Sequence, residues 1–397
     1  MRQFILVVLC ACAGFVLASS GIGSAQTQAP YVLGFSLDLT GLRAELAKPM
    51  RSGALIRMDE INGAGGVNGR PLKAIFYDGE SNPVKNVQNV KRLIEVDKAV
   101  ATMGFSAVDA SMASAQIAED AKILLYSGSP SIVTGRPPKK WMFTVVPDQR
   151  VASIPILLRN LLARGSKKVA YIYIDTAMGN LGIAAFKWSS EKLGITPAIV
   201  EKYQPGEVDV SPQLAHIKAS GADGLLVTGN LADTVRVIKT ARDLGIEYPI
   251  VSDYAVVGPE FITLSGKYGE GIVTTSLKTL VADELPDSDV QKKVCMDLYN
   301  KYTKQFGAFS LYAGHTWDQV NMVAMALGKI DPKLDPAKEK DLEIIRSNIR
   351  DNLEKLKGVV GQNGTFTYSE TDHIGLAEGC YVPVVVQGGK WKLYKGK

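Results

Sequence analysis

The sequence predicts an α/β protein in which mainly parallel sheets carry helices on both faces. Short apolar runs alternate with amphipathic segments of helical spacing from residue 32 onward. This alternation continues to residue 126, restarts at residue 154 and runs to residue 251, leaving a seam near residues 145–150. Repeated strand–helix alternation produces parallel strands joined by crossover connections. We therefore expect two successive α/β units, each built on a doubly wound sheet.

The first unit is predicted to contain four strands and three helices. Apolar runs predict the strands at 32–37, 72–77, 99–103 and 123–126, and apolar spacing predicts the helices at 50–62, 83–94 and 107–119. Pro83 favours a helix start, because a proline at the first helical position loses no hydrogen bond. The glycine-rich run 63–66 follows a helix and precedes a strand, which is the wrong order for a dinucleotide-binding loop. We interpret it as a helix end and a turn.

The second unit repeats the pattern. Its predicted helices are 154–162, 179–193, 210–220 and 232–244, and its predicted strands are 169–174, 198–203, 224–227 and 250–251. After residue 278 the sequence predicts long helices at 290–306, 316–329 and 342–356, the last preceded by a charged, proline-bearing loop at 331–341. Residues 359–394 are punctuated by glycines and resemble strands.

Residues 1–25 have the features of a cleaved secretory signal. Arg2 supplies a positive charge, residues 4–17 form a short apolar core, and small residues precede a cleavage site near Ala25. A membrane anchor is the alternative, but a span needs about 20 apolar residues. A lipoprotein signal ending at Cys12 would leave a very short apolar core. We expect an exported protein.

Composition excludes several classes of protein. The chain of 397 residues is 46% apolar and 21% charged, which is typical of a soluble globular protein. Its formal charge of +5 is scattered, and the basic cluster at 136–140 has no interleaved aromatic residues, so nucleic-acid binding is not expected. Cys295 and Cys380 remain after signal cleavage, and the sequence leaves open whether they pair.

No enzyme signature is present. The sequence lacks a G-x-S-x-G elbow, a Walker loop and an H-E-x-x-H motif. His216, His315 and His373 are widely separated and have no ligand-like partners three or four residues away. We expect no catalytic residue, no metal site and no cofactor.

Two loops after predicted strands have the composition of an anion site. Gly104, Phe105 and Ser106 follow the third strand, and residues 127–131 (Ser-Gly-Ser-Pro-Ser) follow the fourth. Ligands of doubly wound sheets bind at the carboxyl ends of strands, where helix N-termini offer free N–H groups. Small hydroxyl residues there suit a carboxylate. The alternative is that these residues form only turns and caps.

Residues 61–72, with the sequence INGAGGVNGRPL, resemble a signature of periplasmic binding proteins of the leucine/isoleucine/valine type. Further matches include 82–83 (Asn-Pro), 97–100 and 317–320 (Trp-Asp-Gln-Val), so the resemblance covers nearly the whole mature chain. It implies a type I fold of two lobes joined by three hinge crossovers. Lobe 1 would comprise 26–147 and 278–357, and lobe 2 would comprise 148–277 and 358–397.

The resemblance also implies a ligand site between the lobes. Ser106 and the loop through Ser131 match positions that hold a ligand carboxylate. Family aromatic positions fall near Leu46, Met178 and Asn230. The predicted ligand-binding residues are Leu46, Ser106, Ser127, Gly128, Ser129, Ser131, Met178, Asn230, Asp253 and Tyr254.

The position that meets a ligand ammonium in the family falls near Tyr254 here. A missing acid would favour a hydrophobic or aromatic acid that lacks a free amine. Asp253 is adjacent, however, and a shift of one residue would restore an amino-acid ligand.

The expected function is that of a monomeric periplasmic solute-binding protein. It would deliver a small carboxylate ligand to the membrane permease of an ABC importer. The alternative is an exported sensor of the same fold that presents its ligand to a signalling partner.

Overall fold

The computed structural model describes residues 28–129 and 139–396. The strands are β1 (Tyr31–Leu37), β2 (Leu72–Asp78), β3 (Ala101–Gly104), β4 (Leu124–Ser127), β5 (Met142–Thr144), β6 (Lys168–Ile174), β7 (Thr196–Tyr203), β8 (Gly224–Thr228), β9 (Ile250–Ser252), β10 (Val273–Leu277), β11 (Val359–Val360), β12 (Thr365–Phe366), β13 (Tyr381–Gln387) and β14 (Lys390–Leu393). The α-helices are α1 (Ala44–Gly63), α2 (Pro83–Glu95), α3 (Val108–Asp120), α4 (Gln149–Ala152), α5 (Ile154–Ala163), α6 (Ala177–Leu193), α7 (Ser211–Ala219), α8 (Leu231–Asp243), α9 (Pro259–Ser265), α10 (Lys292–Phe306), α11 (Tyr312–Leu327) and α12 (Glu339–Glu354). The predicted signal and Ser131 lie outside the described residues.

The first sheet has five parallel strands in the order β2-β1-β3-β4-β5. Strands β3, β4 and β5 are buried along their whole length. Such uninterrupted burial is typical of a parallel sheet with helices on both faces. The winding direction reverses at β1, since β2 lies on one side of it and β3 on the other. In doubly wound sheets, ligands bind at the carboxyl ends of the strands on either side of such a reversal, here β1 and β3.

The second sheet has seven strands in the order β14-β13-β10-β9-β8-β6-β7. Strands β6 to β10 pair in parallel, whereas β13 runs antiparallel to β10 and β14 runs antiparallel to β13. Gly388 and Gly389 connect β13 to β14 with φ of 60° and 68°. Positive φ at both central residues matches the twist of a two-residue hairpin turn.

Three chain connections join the two α/β units. The chain leaves the first sheet after β5 and leaves the second sheet after β10. Helix α11 then packs on α1 and β3 of the first unit, and the chain returns to the second sheet at β13. The predicted α/β class, the mainly parallel sheets and the three connections are confirmed.

Helix α11 packs unusually close to α1. A Cβ atom at Gly53 of α1 would lie 1.9 Å from the carbonyl oxygen of Ala313. The hydroxyl of Thr316 donates a hydrogen bond to the carbonyl oxygen of Met50. The glycine therefore permits backbone contact between the helices, which places α11 directly beneath the carboxyl edge of the first sheet.

The segment 359–376 also packs against the first sheet. The hydroxyl groups of Tyr126 and Tyr368 are hydrogen-bonded at 2.6 Å, and the rings of His373 and Phe143 stack with centroids 3.7 Å apart. Phe366 and Tyr368 are fully buried in the same core. The polypeptide thus crosses to the second sheet shortly before β13.

Several elements differ from the sequence expectation. Helix α1 begins at Ala44 rather than at residue 50, so Pro49 lies inside it. Pro49 lies beyond the first turn, so it removes the hydrogen bond to the carbonyl oxygen of Glu45 and its ring crowds that oxygen. The short elements β5, β10, α4 and α9 were not predicted, because runs of three to seven residues give little periodic signal.

Cys295 and Cys380 are buried and unpaired among the described residues, and burial raises the pKa of each thiol to about 12. No helix in residues 28–129 and 139–396 combines the length and apolar character needed to cross a bilayer.

Candidate ligand-binding site

The carboxyl edge of the first sheet brings three predicted segments together. Register pairs Gly104 of β3 with Ser36 of β1 and with Ser127 of β4. Asp38, Ser106 and Ser129 therefore follow three neighbouring strands. Adjacent parallel strands end at the same edge, so the sequence-predicted loops form one continuous surface.

A strained turn connects β3 to α3. Gly104 has φ of 97°, and Phe105 has φ of 58°. A bulky side chain in this left-handed region is an outlier that the surrounding structure must impose. The N–H of Phe105 donates to the carbonyl oxygen of Ser36 at 2.9 Å, which is one such constraint. The turn aims Ser106 and the start of α3 toward the edge.

Ser106 is hydrogen-bonded to a buried acid. Its hydroxyl donates to Oδ2 of Asp38 at 2.9 Å, and the Asp38 side chain is 1% exposed. Oδ1 of Asp38 accepts from Asn86 Nδ2 at 3.0 Å and from the N–H of Ser81 at 3.2 Å. Arg43 lies 3.6 Å from the same carboxylate. The Ser106 proton therefore already has an acceptor. In the first turn of α3 the Ala110 N–H donates to Asp109 Oδ1 at 2.9 Å, which leaves the N–H groups of Val108 and Asp109 as donors for an anion.

Four hydroxyl groups cluster after β4. Ser127 and Ser129 join their Oγ atoms at 3.0 Å, and Ser111 of α3 lies 2.8 Å from the former and 3.1 Å from the latter. The Thr144 hydroxyl donates to the carbonyl oxygen of Ser129 at 3.1 Å. All four side chains are buried. Because each hydroxyl can both donate and accept, this hydrogen-bonded cluster fixes the position of Gly128 and Ser129 at the start of the loop.

Gly128 links this cluster to β3. Its N–H donates to the carbonyl oxygen of Gly104 at 2.6 Å. The structure therefore brings together Ser106, Ser127, Gly128 and Ser129, as the sequence predicts for a single site.

Asp253 follows β9 at the carboxyl edge of the second sheet. Its Oδ1 accepts the N–H of Ala255 at 3.1 Å, whereas Oδ2 is buried and has no hydrogen-bond partner among the described residues. The Thr228 hydroxyl lies close enough to Asp253 to lower the pKa of that carboxyl, and the Tyr171 hydroxyl lies beside Thr228. Burial nevertheless raises the pKa of Asp253 to about 7, because its effect outweighs the lowering by the Ala255 N–H and the Thr228 hydroxyl. A buried, unpaired acid of this kind is poised to accept a cationic or hydrogen-bonding ligand group.

Tyr254 and Tyr312 connect the second unit to the first. Tyr254 meets Tyr381 edge-on with ring centroids 5.6 Å apart, and it packs within the core of the first sheet. Burial, followed by the carboxylates of Asp253 and Glu45, raises the pKa of Tyr312. Tyr312 therefore lies within electrostatic reach of β9 and of the first turn of α1. It was missed because the predicted helix began at residue 316, four residues too late.

The remaining predicted residues lie at the starts of three helices. Leu46 is half-buried in α1 against the first core, and Met178 is half-buried in α6 against the second. Asn230 is exposed at the start of α8 and makes no capping hydrogen bond with its side chain. Each helix start follows the carboxyl end of a strand.

Gln149 is a second residue that the sequence did not suggest. It lies in the first connection between the units and is 3% exposed. Neither atom of its carboxamide has a hydrogen-bond partner in the described part of the chain. In the same ranges, no group of three or more His, Cys, Asp or Glu side chains could hold a metal ion.

A sequence model described as periplasmic binding protein matches residues 30–390. The chain belongs to this family of periplasmic binding proteins. Members bind ligands and are not catalytic, so the expectation of a non-enzymatic binding protein is confirmed. The predicted resemblance to the leucine/isoleucine/valine type is also confirmed by its relatives.

Two curated relatives of this binding protein come from Pseudomonas aeruginosa. An amino acid binding protein is 27% identical over 257 residues, covering 64% of this chain and 68% of the relative. A leucine-, isoleucine-, valine-, threonine-, and alanine-binding protein is 24% identical over 314 residues, covering 78% and 80%.

Solved structures show the same type I fold. An extracellular ligand-binding receptor from Rhodopseudomonas palustris has a TM-score of 0.82 and 25% identity, covering 93% of this chain and 100% of that one. The substrate-binding protein LivJ of a branched-chain amino acid transporter from Streptococcus pneumoniae, solved with isoleucine, has a TM-score of 0.75 and 21% identity, covering 92% and 99%.

Proposed function

We propose that this binding protein captures an amino acid with an apolar side chain and delivers it to the permease of an ABC importer. The ligand lies between lobe 1 and lobe 2. Segment 359–376, expected in lobe 2, packs on the first sheet, so lobe 1 comprises 26–147 and 278–376, and lobe 2 comprises 148–277 and 377–397. The observation that carries the proposal is the pairing of the α3 N-terminus, at the edge of one sheet, with the buried Asp253 of the other sheet, whose Oδ2 has no hydrogen-bond partner among the described residues.

The first edge suits the carboxylate. The N–H groups that begin α3 carry partial positive charge. The neighbouring side chains of Ser127 and Ser129 are small and leave room for a carboxylate. A charge-assisted hydrogen bond to such an anion contributes roughly 1.5–3 kcal/mol.

The second edge suits the ammonium. Oδ2 of Asp253 is buried without a partner among the described residues, and an uncompensated buried charge is costly. A ligand ammonium would supply the missing partner. Leu46, Met178 and Tyr254 would then face the apolar side chain, and a methionine adapts to ligands of different shape.

An aromatic acid without an amine is the competing ligand. Such a ligand brings no ammonium to Asp253, so Asp253 would have to stay protonated and uncharged in the complex. The curated amino-acid-binding relatives support the first reading, and a ligand panel decides between them.

The test is thermal shift with leucine, isoleucine, valine, phenylacetate and benzoate. A ligand at 100 times its Kd adds about 2.7 kcal/mol of stability, which raises the melting temperature visibly. We expect a clear shift with at least one of the three amino acids. Shifts with phenylacetate or benzoate alone would overturn the amino-acid assignment, and no shift with any of the five would overturn the carboxylate site.

We further propose export to the periplasm with cleavage near Ala25, and a monomeric state. N-terminal sequencing of protein from a periplasmic extract should begin at or near Gln26. An intact Met1, or lipid on Cys12, would contradict cleavage there. Light scattering of the mature protein should give the mass of one chain, and twice that mass would contradict the monomer.

A further inference from the structure

Gln319 lies on α11 with its side chain fully buried beneath the carboxyl ends of β3 and β4. Its Oε1 accepts the N–H of Gly104 at 3.1 Å, and its Nε2 donates to the carbonyl oxygen of Tyr126 at 2.8 Å. Gly104 is the last residue of β3, and Tyr126 is the last but one of β4. One carboxamide therefore joins the two strands at the edge from which the ligand loops emerge.

The turn after β3 depends on such constraints. Gly104 and Phe105 both have positive φ, which Phe105 does not adopt readily. The N–H of Phe105 is held by the carbonyl oxygen of Ser36, and the N–H of Gly104 is held by Gln319. Loss of the carboxamide would release the first residue of the turn and displace Ser106 behind it.

The 128–129 loop rests on the same link. The N–H of Gly128 donates to the carbonyl oxygen of Gly104. A Cβ at Gly128 would lie 2.9 Å from that oxygen and 3.4 Å from Nε2 of Gln319. The two loops are in close contact, so a displacement of Gly104 would also displace Gly128.

We infer that Gln319 is a positioning residue for carboxylate recognition, although it does not itself reach the ligand. Its carboxamide sets the separation of the Gly104 turn from the Gly128 loop, and so fixes where the N–H groups that begin α3, directly after that turn, lie relative to the ligand carboxylate. This inference rests on the proposed function, because it requires a ligand carboxylate at this edge.

The chain offers a matched control at the opposite edge of the same sheet. The carboxamide of Asn62 accepts the N–H of Leu72 at 2.8 Å and donates to its carbonyl oxygen at 2.9 Å, at the amino end of β2. Asn62→Leu removes the same kind of link far from the ligand loops. The test variants are Gln319→Met, which removes both hydrogen bonds at similar volume, and Gln319→Glu, which keeps an acceptor for Gly104.

Calorimetry with two acid–amide pairs, leucine with leucinamide and phenylacetate with phenylacetamide, measures the preference for a carboxylate. The parent should prefer the acid of the pair it binds. Gln319→Met should reduce that preference about tenfold, the scale of one hydrogen bond to a charged group. Gln319→Glu should not recover it, because its carboxylate would face the Tyr126 carbonyl oxygen and repel the ligand acid. Asn62→Leu should lower the melting temperature while keeping the preference.

Hydrogen exchange gives a readout that needs no ligand. The Gly104 amide should exchange faster in Gln319→Met than in the parent or in Asn62→Leu. An unchanged Gly104 exchange rate, or an acid preference equal to that of the parent in a folded Gln319→Met, would overturn the inference alone. A parent without any preference for the acid would overturn the proposed function and this inference with it.

Discussion

Oδ2 of Asp318 accepts hydrogen bonds from both the backbone N–H and the side-chain amide of Asn363, each at 2.7 Å. Oδ1 accepts the N–H of Gln362 at 2.8 Å. Gln362 in turn accepts the Thr279 hydroxyl at 2.7 Å. Because Thr279 lies in the second connection between the units, Asp318 anchors the β11–β12 hairpin to the hinge region. The residue after it, Gln319, bonds the ends of β3 and β4, so α11 contacts both the hinge region and the candidate site.

Asp318→Ala should destabilise the protein strongly. The substitution leaves three buried N–H groups without their acceptor, and each unsatisfied donor costs about 1–3 kcal/mol. We expect a loss of about 3 kcal/mol or more in the free energy of unfolding, measured by urea denaturation at pH 7. Asp297→Ala is the control, since this exposed acid pairs, among the described residues, only with Lys293 on the same helix and should change stability by less than about 0.5 kcal/mol. Equal losses in the two variants would contradict the anchoring role.

Asp253→Asn should stabilise the ligand-free protein at alkaline pH. The folded pKa of Asp253 is raised to about 7 from an ordinary value of 3.8, so the folded state holds a proton that the unfolded state has lost between those values. The acid therefore costs stability progressively as pH rises from about 4 to about 7. The melting temperature of Asp253→Asn should match the parent near pH 4 and exceed it at pH 8. A constant difference across that window would argue against the buried, unpaired acid.

Leucine binding should strengthen as pH rises from 5 to 8. An ammonium pairs with ionised Asp253, and at pH 5 that carboxyl must first lose its proton. We expect the Kd for leucine to fall by about tenfold or more over this interval, following the one-proton linkage. Asp253→Asn should bind leucine weakly with little pH dependence, because the titrating partner is gone. A parent Kd that is constant with pH would place the ammonium elsewhere.

Hydrophobic periodicity was sufficient for most of the fold. The strand at 169–174 and the helix at 154–162 differ from β6 and α5 by one residue at one end. Helix α2 begins at Pro83, as the local sequence predicts, and the structure adds Asn82 as its cap. Periodicity did not predict β5, because a strand of three residues is too short to show a pattern. It also placed the start of α1 too late, because packing against α11 keeps the chain helical on both sides of Pro49.

The loops of the candidate site could be predicted from the sequence on the first sheet, and less completely on the second. Glycines and serines after apolar runs identify the 104–106 and 127–129 loops, because strand ends of a parallel sheet share an edge. Tyr312, Gln149 and Gln319 carry no such local signal. Their positions depend on how distant elements pack, which no spacing in the sequence encodes.

Ser106→Ala should weaken acid binding about tenfold, since the hydroxyl orients the loop through Asp38. It should also lower the free energy of unfolding by about 1 kcal/mol, because Asp38 loses one of its donors. Ser52→Ala in α1, a half-buried residue whose hydroxyl bonds only the Lys48 carbonyl oxygen among the described residues, should change neither quantity. Calorimetry with leucine and urea denaturation measure the two effects. Unchanged leucine affinity in Ser106→Ala would remove Ser106 from the site.

Ligand should bring the two units together with little change inside either. Each sheet is buried between helices, and close-packed cores resist deformation, so rotation must be absorbed by the three connections. A ligand whose carboxylate is held at α3 and whose ammonium is held at Asp253 gains both contacts only when the edges approach. Small-angle scattering should therefore show a smaller radius of gyration with saturating leucine than without it. Asp253→Asn at the same leucine concentration should stay closer to the ligand-free value, because it retains only one of the two contacts. An unchanged radius of gyration in the parent at saturation would mean that ligand binds within one unit and that the connections do not act as a hinge.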